Sequence, residues 1–450
     1  MSSLVLDIND TALRVIDGGS SVAVEPGFAL AESGSVTLSG TAAAELSRRR
    51  PRSVTNDYWY RLDATPLEAH AGLSRADIAS AQVAALMPAA AFANREVVVV
   101  LPSDMRRESL GLLLGVLQAN QLKPVALVDA AVAATRTHYV DRVALNVELG
   151  LHAAAVSRLY QTAGTAALED VRSIEGSGML ALRDAWAKHF AAEFVRQRRF
   201  DPLHSAESEQ HLYDQLAGWL ARIDSAGTAT LALESAGRSH EIEVERVDVI
   251  NVVADHYQRL ADTARALLSA GETPAMQMRL AVSGLPGLAD MLVARVGGAW
   301  HAVADDAAAT GARDRIRGKT GDTGRVLREL PTEDELAPEA AAEADDAELP
   351  THVLLGARAV ALSDVPLMLG AGSAQAPQRY LLLEGSPAGV SGLHCELALA
   401  NGQCLLTDHS RYGTFLNGNR IKTSAALRAG DTIRVGTPGL ELQLIRAEVL

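Results

Sequence analysis

The chain has 450 residues and a formal net charge of −14, and it is 48% hydrophobic but only 4% aromatic. This length allows two or three domains, and the acidic balance argues against binding to a nucleic-acid backbone, which requires a basic face. No run of about 18 apolar residues occurs, so no membrane span is predicted. The first residues lack a basic region before their apolar run, so we expect no signal peptide and a cytoplasmic protein.

The N-terminal three hundred residues alternate predicted strands and helices, which is typical of a layered α/β domain. The run EVVVVL is continuous and β-branched, as in a strand buried on both faces. The main predicted elements are strands at 4–7 and 12–16 around an Asn-Asp turn, a strand at 96–101, a helix at 105–118, a strand at 122–128, and a hairpin of 143–147 with 153–156.

In their order, these elements resemble the actin-like ATPase superfamily, in its seventy-kilodalton heat-shock-chaperone branch. LVLDINDTALRV and VALNVELGLHAAAVSRL stand where that family has its two phosphate loops, and RLAVSGLPGLADMLVARVGG resembles its adenosine-loop region. The resemblance covers about residues 4–317. It implies a two-lobed fold that binds ATP with Mg²⁺. The positions that match its nucleotide-binding residues are Asp7, Thr11, Gly150, Ser283 and Gly284.

Several matching positions carry residues that are unsuited to ATP hydrolysis. Asp7 and Asp129 are acidic as the resemblance requires, but Asn146 has an amide where a metal-directed carboxylate is implied. Glu148 puts a negative charge where phosphate oxygens would lie, and Asn9 replaces a glycine of the first loop. The phosphate loops are therefore degenerate. We predict no ATP hydrolysis, assign no catalytic residue, and predict no resident metal site.

Residues 318–350 are predicted to form a disordered linker between an N-terminal domain at 1–317 and a C-terminal domain at 351–450. Their composition is basic at first and then acidic and rich in alanine. Thr332 precedes three acidic residues in this segment. One hypothesis is that a kinase phosphorylates Thr332 and that the C-terminal domain then binds its own linker. The alternative is an ordinary solvated threonine.

The C-terminal domain is predicted to be all-β. CELALA and QCLLTD alternate with period two, and the Asn-Gly pair between them favours a two-residue hairpin turn. With that turn, Leu399 lies opposite Cys404. Cys395 then lies roughly 13 Å from that pair, at about 3.3 Å per residue. A disulfide requires Cα atoms within about 7 Å, so both thiols are predicted to be reduced.

Four short motifs follow one another in this domain. They are Ser391-Gly-Leu-His394, Ser410-Arg-Tyr-Gly-Thr414, Asn417-Gly418 and Gly430-Asp-Thr-Ile433. In this order and spacing they resemble the forkhead-associated (FHA) domain, a β-sandwich that binds phosphothreonine. The resemblance implies phosphopeptide contacts from Ser391, Arg411, Tyr412 and Thr414, and structural roles for His394, Asn417 and Gly418.

The chain departs from the FHA pattern at two basic positions. The arginine that the family carries after an early-strand glycine is here Ala371, and the basic residue after the motif serine is Gly392. A phosphothreonine carries about −1.5 to −2 charges and three acceptor oxygens, so its site needs strong donors. Ser391 and Arg411 remain as the predicted phosphate donors.

Three functions follow from these observations. The leading hypothesis is a bacterial-type adaptor, with an inactive chaperone-like domain and an FHA domain that binds a protein partner through phosphothreonine. The alternative is an active chaperone-like ATPase that uses the FHA module for targeting. The third is a structural scaffold that neither hydrolyses ATP nor recognises phosphate.

Overall fold

The chain forms two compact units, Met1–Pro338 and Glu339–Leu450. The computed structural model describes residues 4–162, 164–235, 237–316, 325–336, 350–355, 358–363, 365–372, 379–383, 389–400, 403–411, 413–417, 419–421, 424–436 and 440–446. Tyr412, Gly418, the Asn401-Gly402 turn and most of the predicted linker lie outside these ranges. No helix within the ranges is both long enough and apolar enough to cross a membrane.

The first unit is α/β, as predicted. Its described strands are β1 (Leu4–Asp7), β2 (Leu13–Asp17), β3 (Ser20–Glu25), β4 (Ala29–Glu32), β5 (Ser35–Ser39), β6 (Val54–Thr55), β7 (Glu96–Leu101), β8 (Lys123–Asp129), β9 (Thr137–Tyr139), β10 (Val143–Leu149), β11 (Ala153–Thr162), β12 (Thr165–Glu175), β13 (Thr228–Ser235), β14 (Arg238–Glu245), β15 (Pro274–Arg279), β16 (Ala299–Val303), β17 (Val326–Leu327), β18 (Glu329–Pro331) and β19 (Asp334–Leu336).

Some helices of the first unit begin at a polar side chain that accepts one of their first N–H groups. Ser74 and Asp77 form a reciprocal capping box at α2, and Asp129 accepts the N–H of Val132 at the start of α5. The described helices are α1 (Thr41–Ala44), α2 (Arg75–Leu86), α3 (Ala89–Phe92), α4 (Arg107–Ala119), α5 (Ala130–Ala134), α6 (Met179–Arg198), α7 (Ala206–Ala226), α8 (Arg246–Asn251), α9 (Ala254–Ala266), α10 (Leu280–Ser283), α11 (Leu288–Val296) and α12 (Ala307–Arg315).

Two sheets of the first unit share the order and direction of five of their six strands. In the first sheet, β1 and β2 and then β2 and β3 are antiparallel, while β7 and β8 add in parallel on the other side of β1. In the second sheet, β10, β11 and β12 repeat the antiparallel run, and β15 and β16 add in parallel beside β10. The predicted turn between β1 and β2 and the predicted hairpin of β10 with β11 are confirmed.

The helices α5 and α12 cross each other against a core shared by the two sheets. Their buried alanines pack in one cluster with residues of both sheets, including Val5 and Ala144. A Cβ on Gly311 of α12 would lie 1.9 Å from the carbonyl oxygen of Ala133 on α5, so only glycine fits this crossing. Small residues thus let the two sheets approach closely. Further hydrophobic cores include residues of α2, α4, α6, α7, α9 and α11.

Part of the predicted linker belongs to the first unit instead. β17 pairs with β8, β18 with β12, and β19 with β9. The buried guanidinium of Arg315 donates to the carbonyl oxygens of Thr135, at 2.7 Å, and of Pro331, at 2.9 Å. Residues 326–336 are therefore tied to the body of the unit by backbone and side-chain bonds.

This placement corrects the hypothesis about Thr332. Its N–H donates to the carbonyl oxygen of Gly164 at 3.0 Å, and the N–H of Glu333 donates to Arg136, which also forms an ion pair with the Glu333 carboxylate. A threonine held in this way is not part of a free tether. The structure gives no support to binding of the linker through Thr332.

The second unit is all-β in its described residues and forms two sheets. Its strands are β20 (His352–Leu355), β21 (Arg358–Ala361), β22 (Leu367–Gly370), β23 (Tyr380–Leu382), β24 (Cys395–Ala400), β25 (Gln403–Asp408), β26 (Thr414–Leu416), β27 (Asn419–Arg420), β28 (Ser424–Leu427), β29 (Thr432–Val435) and β30 (Leu440–Ile445). The sheet orders are β21-β20-β30-β29-β26-β27 and β23-β22-β24-β25-β28.

Both sheets of the second unit contribute to one hydrophobic core, which includes Leu369, Leu397, Ile433 and Leu442. Leu399 pairs with Cys404, and Cys395 pairs with Asp408, as the predicted hairpin register requires. Both cysteines are buried and free. The register keeps the two cysteines apart, as predicted, and the reduced state of both thiols stays a prediction.

Candidate functional site

Two loops of the second unit are joined by a chain of hydrogen bonds. The N–H of Ser391 donates to Nδ1 of His394 at 3.0 Å, which closes the loop before β24. The N–H of Arg411, in the loop between β25 and β26, donates to Oγ of Ser391 at 3.2 Å. The hydroxyl of Ser391 therefore uses its acceptor capacity within the protein and keeps its own hydrogen to donate.

His394 supports the first loop from within the core. The side chain is fully buried, and the backbone N–H of His394 donates to the carbonyl oxygen of Leu369 on β22 at 2.8 Å. Burial lowers the pKa of His394, which favours the neutral ring whose Nδ1 accepts the N–H of Ser391. These contacts fit the structural role that is predicted for His394.

The second loop is shaped by Asp408. Its carboxylate accepts the N–H of Ser410 at 3.0 Å and the hydroxyl of Thr414 at 2.8 Å. The hydroxyl of Ser410 in turn accepts the N–H of Gly413 at 2.7 Å. Thr414 is fully buried, so its side chain braces the loop and does not reach the surface.

The end of β22 lies against the loop of Ser391. The N–H of Ala371 donates to the carbonyl oxygen of Ser391 at 3.0 Å. A Cβ on Gly370 would lie 1.9 Å from the carbonyl oxygen of Gly392, which explains why a glycine precedes Ala371. The side chain at position 371 therefore begins beside Ser391.

Asn417 fastens the turn after β26. Its side-chain amide donates to Asp431 at 2.8 Å, and its side-chain oxygen accepts the N–H of Thr432 at 2.9 Å. Asn417 has a positive φ of 48°, a conformation that asparagine tolerates better than most residues. These bonds fit the predicted structural role of Asn417.

Residues 372–436 match the FHA domain family. This part of the chain is an FHA domain. A search of curated proteins finds no match for the chain. The matched segment includes the serine and histidine of the first loop, the whole second loop and the Asn417 turn. FHA domains are protein-interaction modules that bind phosphothreonine, and the match gives this class of function to residues 372–436.

Arg411 is the exposed cation of the FHA loops. Its backbone is fixed by Ser391, while its guanidinium makes no hydrogen bond or ion pair with any residue that the structure describes. An exposed guanidinium whose backbone N–H bonds to a hydroxyl that can still donate is suited to the oxygens of a phosphate. The structure thus brings two of the predicted phosphate donors together.

The first unit contains a cavity of about 250 Å³. Its lining includes the aromatic residues Trp59 and Tyr60 and two arginines, Arg106 and Arg279. The acidic residues in the lining outnumber these arginines, and they are Asp7, Asp10, Asp104, Glu148 and Glu175. The cavity is therefore acidic, and its chemistry is unfavourable for the phosphates of a nucleotide.

Arg279 occupies the acidic end of this cavity. It is the last residue of β15, and its Nη1 lies 3.1 Å from Oδ2 of Asp7, the last residue of β1 in the other sheet. Its Nη2 lies 3.5 Å from Oε1 of Glu148, on the neighbouring strand β10. Asp7 is 1%, Arg279 7% and Glu148 8% exposed.

Charge interactions within this triad shift the pKa values of Arg279 and Glu148. Burial opposes the charge of Arg279, but Asp7 and Glu148 outweigh burial and raise its pKa. Burial raises the pKa of Glu148 to about 7; Arg279 partly counters this effect, and Asp7 adds to it. The triad therefore places one guanidinium against two carboxyl groups, and the pKa of one of them, Glu148, is raised to about 7.

Asp10 makes a second connection between the two sheets. Its Oδ1 accepts the N–H of Leu151, which follows β10, at 2.7 Å. Burial raises the pKa of Asp10 to about 7, although the bond from Leu151 lowers it, and the charge of Asp104 adds to the increase. Asp10 is thus largely protonated below neutral pH.

The structure brings together only some of the predicted nucleotide residues. Asp7 and Gly150 line the cavity, whereas Thr11, Asp129, Asn146, Ser283 and Gly284 are not among its lining residues. The hydroxyl of Thr11 donates to Asn9 at 2.6 Å, and the side chain of Asn146 accepts a bond from Gln277 at 3.2 Å.

The remaining three residues have local structural roles. Asp129 caps α5 and accepts a bond from Ser103 at 2.9 Å. Ser283 is the last residue of α10, and the N–H of Gly284 closes that helix on Leu280.

These residues do not fit Mg²⁺ with ATP. The carboxylate of Asp7 already faces the guanidinium of Arg279, and Glu148 faces the same group. No group of three or more His, Cys, Asp or Glu side chains among the described residues has a geometry suited to a metal ion. We derive no chemical step through a metal or a nucleotide.

Sequence reasoning missed Arg279 and Asp10. Arg279 ends a run of buried residues, PAMQMR, and an arginine at the end of a buried strand is a signal for a buried ion pair. Asp10 is part of the predicted Asn-Asp turn between β1 and β2, but its partner, the N–H of Leu151, is far away in the sequence.

Proposed function

We propose that the FHA domain binds a phosphothreonine-containing segment of a protein partner, with Ser391 and Arg411 as the phosphate donors. The observation that carries this proposal is the bond from the backbone N–H of Arg411 to the Ser391 hydroxyl, which joins the two residues that supply the proposed donors. Tyr412 is kept in the proposed contact surface on the resemblance alone. Thr414 is assigned to the support of the loop, because it is buried and bonded to Asp408.

The proposed affinity is modest. Ala371 and Gly392 replace two basic residues of the family pattern, and a hydrogen bond to a charged group contributes about 1.5–3 kcal/mol. The loss of one such bond reduces affinity by about tenfold or more, since 1.4 kcal/mol is a factor of ten. The phosphate must then be recognised by Ser391 and Arg411, together with backbone N–H groups of the loops.

The test uses the full chain and three immobilised peptide libraries with a fixed central residue. Retention on the phosphothreonine library, with little on the threonine and phosphoserine libraries, is the result expected of this site. Equal retention on the phosphothreonine and threonine libraries would favour the third function, a scaffold that does not read phosphate. Sequencing of the retained peptides would identify the preferred flanking residues.

We propose that the first unit is a degenerate actin-like fold that acts as a scaffold for the FHA domain. The repeated strand order of its two sheets supports this likeness, because the first three strands and two parallel additions recur in each half. The acidic cavity and the triad of Arg279 support the loss of ATP hydrolysis. Steady ATP turnover that an Asp7→Asn variant loses would favour the alternative, an active ATPase.

The two buried thiols fit a reducing compartment, and we propose that the protein acts in the cytoplasm. Recovery of both cysteines as free thiols from cells, trapped by an alkylating reagent at lysis, is the expected outcome. A disulfide to another chain would place the protein elsewhere.

A further inference from the structure

We infer that the guanidinium of Arg279 is a built-in counter-cation, which takes the place of a metal ion with its nucleotide in the cavity of the first unit. It holds the two sheets together without nucleotide. This inference deepens the proposed scaffold function and rests on it for the comparison with Mg-ATP. The ion triad on which it stands is independent of the FHA domain.

The position of Arg279 is fixed by backbone structure. It ends β15, whose register with β10 aligns Met278 with Val147 and so puts Arg279 and Glu148 next to each other on neighbouring strands. Nη1 also donates to the carbonyl oxygen of Asp305 at 3.0 Å, which anchors the guanidinium behind the cavity. Strand pairing and the bond to Asp305 thus hold Arg279 in place where its guanidinium reaches Asp7.

Arg279 links the two sheets of the unit. Asp7 ends β1 in the first sheet, and Arg279 and Glu148 belong to the second, so the ion pair of Asp7 with Arg279 spans both. In the buried triad, loss of the guanidinium would leave two carboxylates facing each other, an arrangement that buried sites strongly disfavour. The two sheets therefore need this cation in order to bring the two carboxyl groups together.

The same geometry excludes a second cation. A metal ion at the Asp7 carboxylate would meet the guanidinium at hydrogen-bond distance, and like charges this close repel strongly inside a protein. A phosphate in the cavity would face Glu148 and the other acidic lining residues. The chain thus supplies the positive charge itself, and the cation site accepts a guanidinium rather than a metal with a nucleotide.

The experiment removes the guanidinium and returns it as a small molecule. All four tryptophans belong to the first unit, so tryptophan fluorescence of the full chain reports its melting temperature (Tm). The proteins are the wild type, Arg279→Ala, and Arg158→Ala as a matched control. Arg158 also pairs with two acids, Glu169 and Glu272, but it is not a lining residue of the cavity.

We expect no change of the wild-type Tm with millimolar Mg-ATP. Arg279→Ala should lower Tm by on the order of 5–10 °C, since breaking a buried pair is strongly destabilising. Millimolar ethylguanidinium should restore at least half of that loss, and Mg²⁺ alone should also stabilise this variant. Arg158→Ala should respond to neither addition. Phosphopeptide binding by the FHA domain should be the same in all three proteins.

A wild-type Tm that rises with Mg-ATP would overturn the inference, as would a soluble Arg279→Ala protein that ethylguanidinium does not stabilise.

If Arg279→Ala is insoluble, a neutral triple variant decides: Asp7→Asn, Glu148→Gln and Arg279→Met together. Its folding near the wild-type Tm would support the counter-cation role, because the charges are removed as a set. Its failure to fold would contradict that role. Loss of phosphopeptide binding with an intact triad would count against the proposed FHA function only.

Discussion

The N–H of Arg411 donates to the hydroxyl of Ser391 at 3.2 Å, and this bond joins the two FHA loops that carry the proposed phosphate donors. The bond uses the backbone of Arg411, so the guanidinium remains exposed. Ser391 is held in turn by the buried ring of His394. Binding and folding are thus separable at Arg411 but coupled at His394.

Arg411→Ala should weaken phosphothreonine-peptide binding by at least about tenfold, because a charge-assisted bond contributes about 1.5–3 kcal/mol. The Tm should stay within about 1 °C of the wild type, since the lost side chain makes no bond with a described residue. Arg446→Ala, an exposed arginine after β30, is the control and should bind normally. Equal weakening by both variants would show that general charge, and not this site, attracts the peptide.

Ala371→Arg should strengthen phosphothreonine-peptide binding. The new side chain would begin beside Ser391, because the N–H of Ala371 bonds to the Ser391 carbonyl oxygen. A restored guanidinium should raise affinity about tenfold or more, measured by fluorescence anisotropy. Val365→Arg adds the same charge at an exposed position and should have little effect. An unchanged affinity for Ala371→Arg would mean that the phosphate lies elsewhere.

The FHA domain should lose stability as the pH falls below about 6.5. Burial lowers the pKa of His394 below its usual 6.5, so the unfolded chain binds more protons than the folded domain in this range. That contribution to stability is fully present above 6.5 and is lost as the pH falls towards the folded-state pKa. Both cysteines are buried in this domain, so their reaction with dithiodipyridine, relative to denatured chain, reports its opening.

His409→Gln is the control for this pH dependence. His409 is partly exposed and its ring lies 3.6 Å from Glu396. A pH profile that persists in His409→Gln does not arise from that side chain. The quantity to compare is the thiol reactivity of the folded chain divided by that of the denatured chain at the same pH. A ratio that does not increase from pH 7 to pH 5 would contradict the assigned role of His394.

Asp10→Asn should stabilise the first unit more at pH 8 than at pH 5. Burial raises the pKa of Asp10 from 3.8 to about 7, so the unfolded chain releases this proton first and stability falls as the pH rises between these values. The difference of about 3 pH units corresponds to at most about 4 kcal/mol. An asparagine still accepts the N–H of Leu151 without this loss.

The Asp10→Asn comparison is made by tryptophan fluorescence at both pH values. Asp255→Asn, at an exposed position on α9, is the control and should shift Tm equally at the two pH values. Glu148, Asp104 and Arg279 line the same cavity, and the charge of Asp104 adds to the raised pKa of Asp10. A gain for Asp10→Asn that is larger at pH 5 would contradict the raised pKa.

The elements that sequence predicts well are those whose signals are local. The strand at 96–101 is a buried β-branched run, and the hairpin that separates Cys395 from Cys404 follows from period-two alternation and an Asn-Gly pair. The FHA motifs are likewise short and local. The buried position of Thr414 was not predictable, because it depends on a bond to Asp408 across the loop.

Features that depend on distant residues were not predictable. Arg279 meets Asp7 only when two sheets come together, and the run PAMQMR signals a buried arginine without indicating its partner. Residues 326–336 resemble a linker in composition, but they add as short edge strands whose partners are far away in the chain. The strand pairing and Arg315 decide their placement, and the local charge pattern does not.

The most direct test of the account is a titration of the full chain with one peptide in two forms. A peptide selected from the phosphothreonine library is prepared with phosphothreonine and with threonine, and both dissociation constants are measured by fluorescence anisotropy at equal ionic strength. We predict at least tenfold tighter binding of the phosphorylated form, and loss of that difference in Arg411→Ala. Equal dissociation constants for the two forms in the wild type would contradict the proposal that Ser391 and Arg411 bind phosphothreonine.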